Sequence, residues 1–536
     1  MKKLKLVCVA IAMAGAAPTF AGGLLTNTNQ HVAFNRMMSR EASIGIDGVY
    51  YNPAGVVFMG EGHHLAINWQ LAYQTRTINN DYKLFTNNVN NPITPRDFKG
   101  KAFAPVIPSF QYAYNKGKWS FQANFSLTGG GGKCTFDDGL GSFEKIVSET
   151  AIAACGLAGV VDQTLGNKLG QQGMEMFTSD QAFGKTGKYS FNSYMHGRQY
   201  YYGLSVGAAY KFCDNFSAFL GVRGVYALTN YYGYVENINV GNMPLYKVLD
   251  PTKENAANIE LSCDQTGVGF TPIIGVDYKT GRWNFSAKYE FKTRIRLKNK
   301  SVNQTPSIGN LPANLANQMT GILTEKYQQA GLPLEQAKLQ AENTTNTVLA
   351  DPTVGATMVG LKTQFDQKLN KAIGEYEDGK KIAGDIPGYL ALGIGYSPVD
   401  AVRVNVGFHW FDDKNATSYN NRNKELKRGT LEYNAGVEVD VNKKITLSTG
   451  WQNTNYGLSD EYMDDKSFVV GSNSAAIGGV YHINKKMDLN VAYFHTFYQH
   501  KKTSETVQLA ADNSIVYNSD YTRNNNVFAV GLDINF

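Results

Sequence analysis

The sequence predicts an all-β fold: a 14-stranded antiparallel transmembrane barrel with an N-terminal plug and helical extracellular loops. Three observations carry this. The chain ends in alternation, with Phe528, Val530, Leu532, Ile534 and Phe536 in one phase and Val527, Ala529, Gly531, Asp533 and Asn535 in the other. Period two is the strand period, and an apolar phase opposite a small or polar one suits a closing strand between lipid and lumen. The chain opens on an export pattern, and short and long connections alternate along it.

The export pattern comes first. Lys2, Lys3 and Lys5 precede an apolar stretch from Leu6 to Ala17, and Thr19-Phe20-Ala21 forms a cleavage site, so residues 1–21 read as a signal peptide. The apolar run is too short for a span of about 20 residues. No later stretch is continuously apolar for about 18 residues, so no helical span is expected. A composition of 54 Gly, 32 Tyr and 28 Phe with 18% charged residues suits many glycine-punctuated, aromatic-flanked strands. A formal charge of only +6 gives no case for nucleic acid as a partner.

Residues 22–62 lack strand alternation. A lumen of fourteen strands is wide enough to need filling, which makes this segment a plug inside a barrel of residues 63–536. Its apolar residues Phe34, Met37, Met38, Ile44, Ile46, Val49, Val56, Val57 and Phe58 are candidate walls of a ligand pocket, or simply plug core. Arg36 and Arg40 are the nearest cations for a ligand carboxylate, unless they pair with carboxylates of the barrel wall.

Strands are expected near 64–77, 106–115, 118–128, 199–212, 215–232, 257–279, 282–292, 387–397, 402–410, 431–440, 444–455, 473–484, 487–500 and 523–536. The third is the clearest, with Trp119, Phe121, Ala123, Phe125 and Leu127 alternating with polar residues. Lys288, Glu290, Glu432, Glu438 and Asp440 sit in the polar phases and would be costly in a dry sandwich core, which favours a wet or hydrogen-bonded lumen. Short turns, such as Asn115–Gly117 and Thr280–Gly281, alternate with long connections at 78–105, 129–198, 233–256, 299–386, 412–428, 456–472 and 501–522. That alternation places both termini in the periplasm of a bacterial outer membrane and the long loops outside. No strand shows a non-lipid outer face, so a monomer is the expectation.

The loops near 129–198 and 299–386 carry helical stripes: Phe143, Ile146, Val147, Thr150, Ala151 and Ala154 in the first; Leu315, Met319, Ile322 and Leu323, then Met358, Leu361, Phe365, Leu369 and Ile373 in the second. Either the helices pack on one another as a cap or their apolar faces form a groove for a greasy ligand. Cys134 and Cys155 fall in one expected loop and are the candidate disulfide, the alternative being four free thiols in the exported chain. Gly129, Gly130, Gly131 and Gly132 follow the third strand, either as a kink in it or as a flexible loop entry.

The run from Ser39 to Gly55 resembles the hatch of the FadL/TodX family of outer-membrane transporters. Asn52-Pro53-Ala54 matches the hatch's closing Asn-Pro-Ala, Asp47 fits its acidic position, and the match at Arg40-Glu41-Ala42 is looser. The resemblance implies passive, diffusional uptake of hydrophobic compounds such as long-chain fatty acids or aromatic hydrocarbons. It also implies a hatch that rearranges and a kinked third strand opening sideways to the bilayer. The long loops depart from better-known members.

Catalysis finds no support. None of the eight histidines stands in a nucleophile elbow or a zinc-binding helix motif, no phosphate loop occurs, and no cofactor or metal is expected. A general diffusion porin would lack the hatch-like segment. A surface adhesin would use the long helical loops, a role compatible with transport.

Overall fold

The computed structural model describes residues 28–169, 186–306, 311–510 and 513–536, so the expected signal peptide lies outside the described residues. The strands are β1 (Gly62–Tyr82), β2 (Arg96–Lys116), β3 (Trp119–Phe136), β4 (Tyr189–Cys213), β5 (Phe216–Val240) and β6 (Ile259–Thr280). Next come β7 (Trp283–Glu290, resuming Arg296–Gln304), β8 (Lys381–Ala383, resuming Tyr389–Val399), β9 (Val402–Phe411) and β10 (Arg428–Asn442). The last are β11 (Ile445–Gly457), β12 (Ser472–Asn484), β13 (Met487–Tyr498, resuming Lys501–Ala510) and β14 (Asn513–Asn535). Each pairs with its sequence neighbour, and β1 pairs with β14 antiparallel from His64↔Asn535 to Tyr82↔Tyr517. Closure leaves no unpaired edge for hydrocarbon to solvate.

Alternation decides which face is which. Phe121, Val406 and Phe528 point outward at 51%, 45% and 52% exposure, while their neighbours Gln122, Asn405 and Val527 are buried inside. Aromatic pairs gather on the outer face near the short turns, with Trp119 against Tyr210 at 4.7 Å and Trp283 against Tyr396 at 4.2 Å. Rings of this kind suit the boundary between hydrocarbon and headgroups.

All fourteen expected strands are present, but several run further than alternation showed. β2 starts at Arg96, β3 reaches Phe136, and the expected 501–522 connection is largely the top of a β13–β14 ladder. Beyond the apolar belt both faces of a strand meet polar surroundings, so the period-two signal fades while backbone pairing continues.

The long connections build a cap. Helix α3 (Gly141–Leu169) follows β3, α4 (Tyr246–Leu249) follows β5, and α5 (Leu311–Gln329), α6 (Leu334–Leu349) and α7 (Pro352–Ile373) follow β7. Val147, Ala151, Leu165, Leu315, Met319 and Leu323 are buried together in one cluster. The helices therefore cover one another's stripes. α3 is long and apolar enough to cross a membrane, contrary to the expectation from continuous runs, yet it packs within this cap. Glu144 fixes its start by accepting from Asn88 (2.8 Å) and Tyr189 (3.0 Å) and by pairing with Arg96. Helix α6 escaped sequence analysis because its buried stripe, Ala337, Ala341, Thr344, Thr345 and Val348, is small and half polar. Phe365 and Leu369 of the expected third stripe have side chains outside the described residues.

Candidate functional site

Residues 28–59 lie inside the barrel and are almost wholly buried. Two short helices shape them: α1 (Val32–Met37) and α2 (Gly48–Tyr51). The His31 ring nitrogen Nδ1 accepts from the Ala33 N–H at 2.9 Å and so caps α1, while His31 Nε2 faces Asp533 at 3.2 Å. Polar bonds then tie the segment to the wall at every turn.

The β9–β12 side holds charge. His409 stands between Glu41 of the segment and Glu432 of β10, at 2.8 Å from each. Arg36 pairs with Glu438 and donates to Ser448 at 2.9 Å and Asn490 at 3.3 Å. Arg40 turns back on Asp47 at 2.7 Å and 3.0 Å. Arg40 also reaches Glu438 at 3.7 Å, so the wall-carboxylate alternative applies to both arginines. Lys288 bonds Glu290 at 3.0 Å and donates to the Tyr50 carbonyl at 2.6 Å. The charges of the polar phase are thus offset by pairing rather than by open water. Gly436 and Gly450 make the close approach possible, because a Cβ on either would run into the Met37 carbonyl.

The Asn-Pro-Ala turn bonds to three strands. The Asn52 amide donates to Asp277 of β6 at 2.6 Å, the Pro53 carbonyl accepts from Gln122 of β3 at 2.7 Å, and the Ala54 carbonyl accepts from Ser217 of β5 at 2.7 Å. Asn52 Oδ1 also accepts the Gly55 N–H at 3.2 Å, closing the turn on itself. Proline fixes φ and leaves its carbonyl free to serve the wall.

A different contact faces β2 and β3. Their ladder runs from Lys116↔Trp119 to Phe110↔Phe125, stops, and resumes from Phe103↔Lys133 to Gly100↔Phe136. The interval holds Pro105 and Pro108 on β2, which have no N–H to give, and Gly129–Gly132 on β3. Against β4 the same glycines make two register shifts, at Leu127/Gly129 and Gly130/Gly132. The four glycines therefore lie within β3, at two irregularities of its pairing, and not at a loop entry. Gln30 fills the interval: its side chain donates to the Leu127 carbonyl at 2.9 Å, and its own carbonyl accepts from Ser109 at 2.6 Å and Gln111 at 3.0 Å. Sequence analysis missed Gln30, since a lone glutamine in an irregular segment carries no pattern.

Above the segment lies a cavity of ≈ 320 Å³. Its floor includes Phe34 and Met38, its side reaches Ala104, Ile107, Gly130 and Gly132 at the β2–β3 interval, and its roof includes Tyr462, Lys466 and Phe468. Of the nine expected wall residues, only Phe34 and Met38 line it. Met37 packs against the seat glycines, Ile46, Val49 and Val56 cluster with Ala66 and Ala113, and Val57 and Phe58 pack beside Phe219. Ile44 is only partly buried and lies outside the cavity lining. At the roof, burial pushes the Asp413 carboxyl up to about 6.

Cys134 and Cys155 are both free thiols. Cys134 sits in β3 beside Ile78 and Met195, whereas Cys155 packs with the cap helices. The extension of β3 through Phe136 takes Cys134 out of the loop that made the pairing plausible. Among the described residues no group of three His, Cys, Asp or Glu side chains is placed to hold a metal ion.

No model of a known protein family and no curated protein matches the chain. Solved structures do. The fold is similar to that of a Pseudomonas aeruginosa FadL homologue at 14% identity, covering 96% of this chain and 100% of that one, with a TM-score of 0.57. It is also similar to a deletion mutant of the TodX monoaromatic hydrocarbon channel at 12% identity, covering 94% and 99%, with a TM-score of 0.50.

Proposed function

We propose that this chain is an outer-membrane channel for passive uptake of hydrophobic compounds, fatty-acid-like or aromatic, with residues 22–62 as its hatch. In this reading the cap faces outside, both termini face the periplasm, and Asn52, Pro53 and Ala54 anchor the hatch. The observation that supports it best is the cavity itself. It connects a floor of hatch residues to an interval where β2 and β3 lack backbone pairing. A hydrophobic molecule resting there has a sideways route between β2 and β3 that needs Gln30 to move and no ion pair to break. Lateral release also avoids sending an apolar solute through water.

The test is uptake of a fluorescent long-chain fatty acid and of toluene by cells lacking any other such channel. Wild-type protein is expected to give saturable uptake and low steady conductance in a planar bilayer. Asn52→Ala with Pro53→Ala is expected to raise conductance by freeing the hatch. A large steady conductance in the wild type with no hydrophobe uptake would overturn the reading and leave an open porin.

A further inference from the structure

Inside the cavity, β1 and β14 place two arginines directly opposite each other, Arg76↔Arg523, and both line the cavity wall. Like charges at directly paired strand positions repel, and their Cα atoms stand only about 5 Å apart. Inside the barrel Arg36, Arg223 and Lys288 each pair with a carboxylate; among the described residues Arg76 and Arg523 form no ion pair. What they do have is neutral. Gln74 Oε1 accepts from Arg523 Nη2 at 2.6 Å and from Arg76 Nε at 3.2 Å, and the Phe468 carbonyl accepts from Arg523 Nη1 at 3.4 Å. The Tyr498 ring lies 5.2 Å from the Arg523 guanidinium. Arg523 is 6% exposed, and its Nε has no partner.

Along the same inward faces the chemistry changes in regular steps. Ala72↔Val527 is apolar, Gln74↔Asn525 neutral and polar, and Arg76↔Arg523 cationic. Ala72 and Val527 pack with Phe34, Met38 and Phe494 on the hatch side. From Ala72 to Arg76 the strand rises about 13 Å at roughly 3.3 Å per residue. The β1–β14 wall of the cavity is thus amphipathic along its length.

We propose that it holds a single-chain amphiphile whose head carries two negative charges, of the phosphate-monoester class, with the head between Arg76 and Arg523 and the tail toward Phe34 and Phe494. One carboxylate neutralises one guanidinium; a phosphate monoester at neutral pH carries close to two charges and offers three acceptor oxygens to two planar forks. This rests on the channel reading above and deepens its substrate class.

The test is equilibrium binding to purified full-length protein in a neutral glycoside detergent at pH 8. The probes are dodecyl phosphate, its methyl diester with one charge, dodecanol and inorganic phosphate. The monoester is expected to bind at least tenfold tighter than the diester, and inorganic phosphate alone not measurably. Arg523→Gln and Arg76→Gln are each expected to weaken the monoester about tenfold and leave dodecanol unchanged. Equal affinity for monoester and diester, no effect of either substitution, or equal binding of free phosphate would each overturn the assignment. Failure of dodecanol to bind any form would instead overturn the channel reading beneath it.

Discussion

The barrel grips its N-terminal segment in two ways, and the contrast shows where the molecule is built to hold and where to yield. On the β9–β12 side the grip is ionic and buried: Glu41, His409 and Glu432 in a row, and Arg36 on Glu438. Removing one partner from such a pair strands a charge in a low-dielectric interior and costs about 3–5 kcal/mol. At the β2–β3 interval the grip is the neutral Gln30, whose hydrogen bonds are worth about 1 kcal/mol each. The strands it bridges have also given up part of their ladder. Under the proposed function, the Gln30 contact is expected to open before the ion pairs.

Breaking the stronger grip should have the largest effect. His409→Ala leaves Glu41 and Glu432 facing each other without the imidazole, and about 3–5 kcal/mol of seating should be lost. Planar-bilayer conductance should rise, and protease should reach residues near Ser39–Asp47 in the folded barrel. Unchanged conductance and protection would mean that the ion pairs do not set the seating.

The cap offers an intermediate effect that separates lid from wall. Asp465 accepts the Ser142 N–H at 2.8 Å near the start of α3. Burial, with Asp464 beside it, pushes its carboxyl up to about 6. A folded-state value above the unfolded one means stability fully present below about pH 4 and lost as pH rises through about 6, here about 1–3 kcal/mol. Hydrogen-exchange protection at the start of α3 should therefore fall between pH 5 and 7.5, and Asp465→Asn should flatten the response. Equal protection at both pH values in the wild type would remove Asp465 from the account.

The smallest expected effect sharpens the comparison most. Gln30→Ala removes the side-chain bond to the Leu127 carbonyl at the β2–β3 interval, worth about 1 kcal/mol. Hydrophobe uptake should rise a few-fold while conductance and melting temperature stay near wild type. A rise in conductance equal to that of His409→Ala would show that both grips belong to one gate.

Much of this was legible in the chain, and the misses are instructive. The alternation of Trp119, Phe121, Phe125 and their neighbours placed β3, but not its continuation through Phe136, because above the apolar belt no hydrophobic contrast marks a strand. Asn52-Pro53-Ala54 stood out as a turn; that each of its residues bonds a different strand did not. The apolar residues of the N-terminal segment were visible as a set, yet only Phe34 and Met38 face the cavity, since the others fill contacts set by the wall around them.

The sequence by itself determined the number of strands, which phase of each faces outward, and the alternation of turns and long connections. Those follow from local rules: a side-chain period of two and the cost of leaving backbone groups unpaired in hydrocarbon. Only the tertiary structure decided which inward residues meet. Glu41 and His409 are 368 positions apart, and Arg76 faces Arg523 only because β14 closes on β1 in one register. A slip of one residue would turn every side chain of a strand to the opposite face, so register alone assigns the partners.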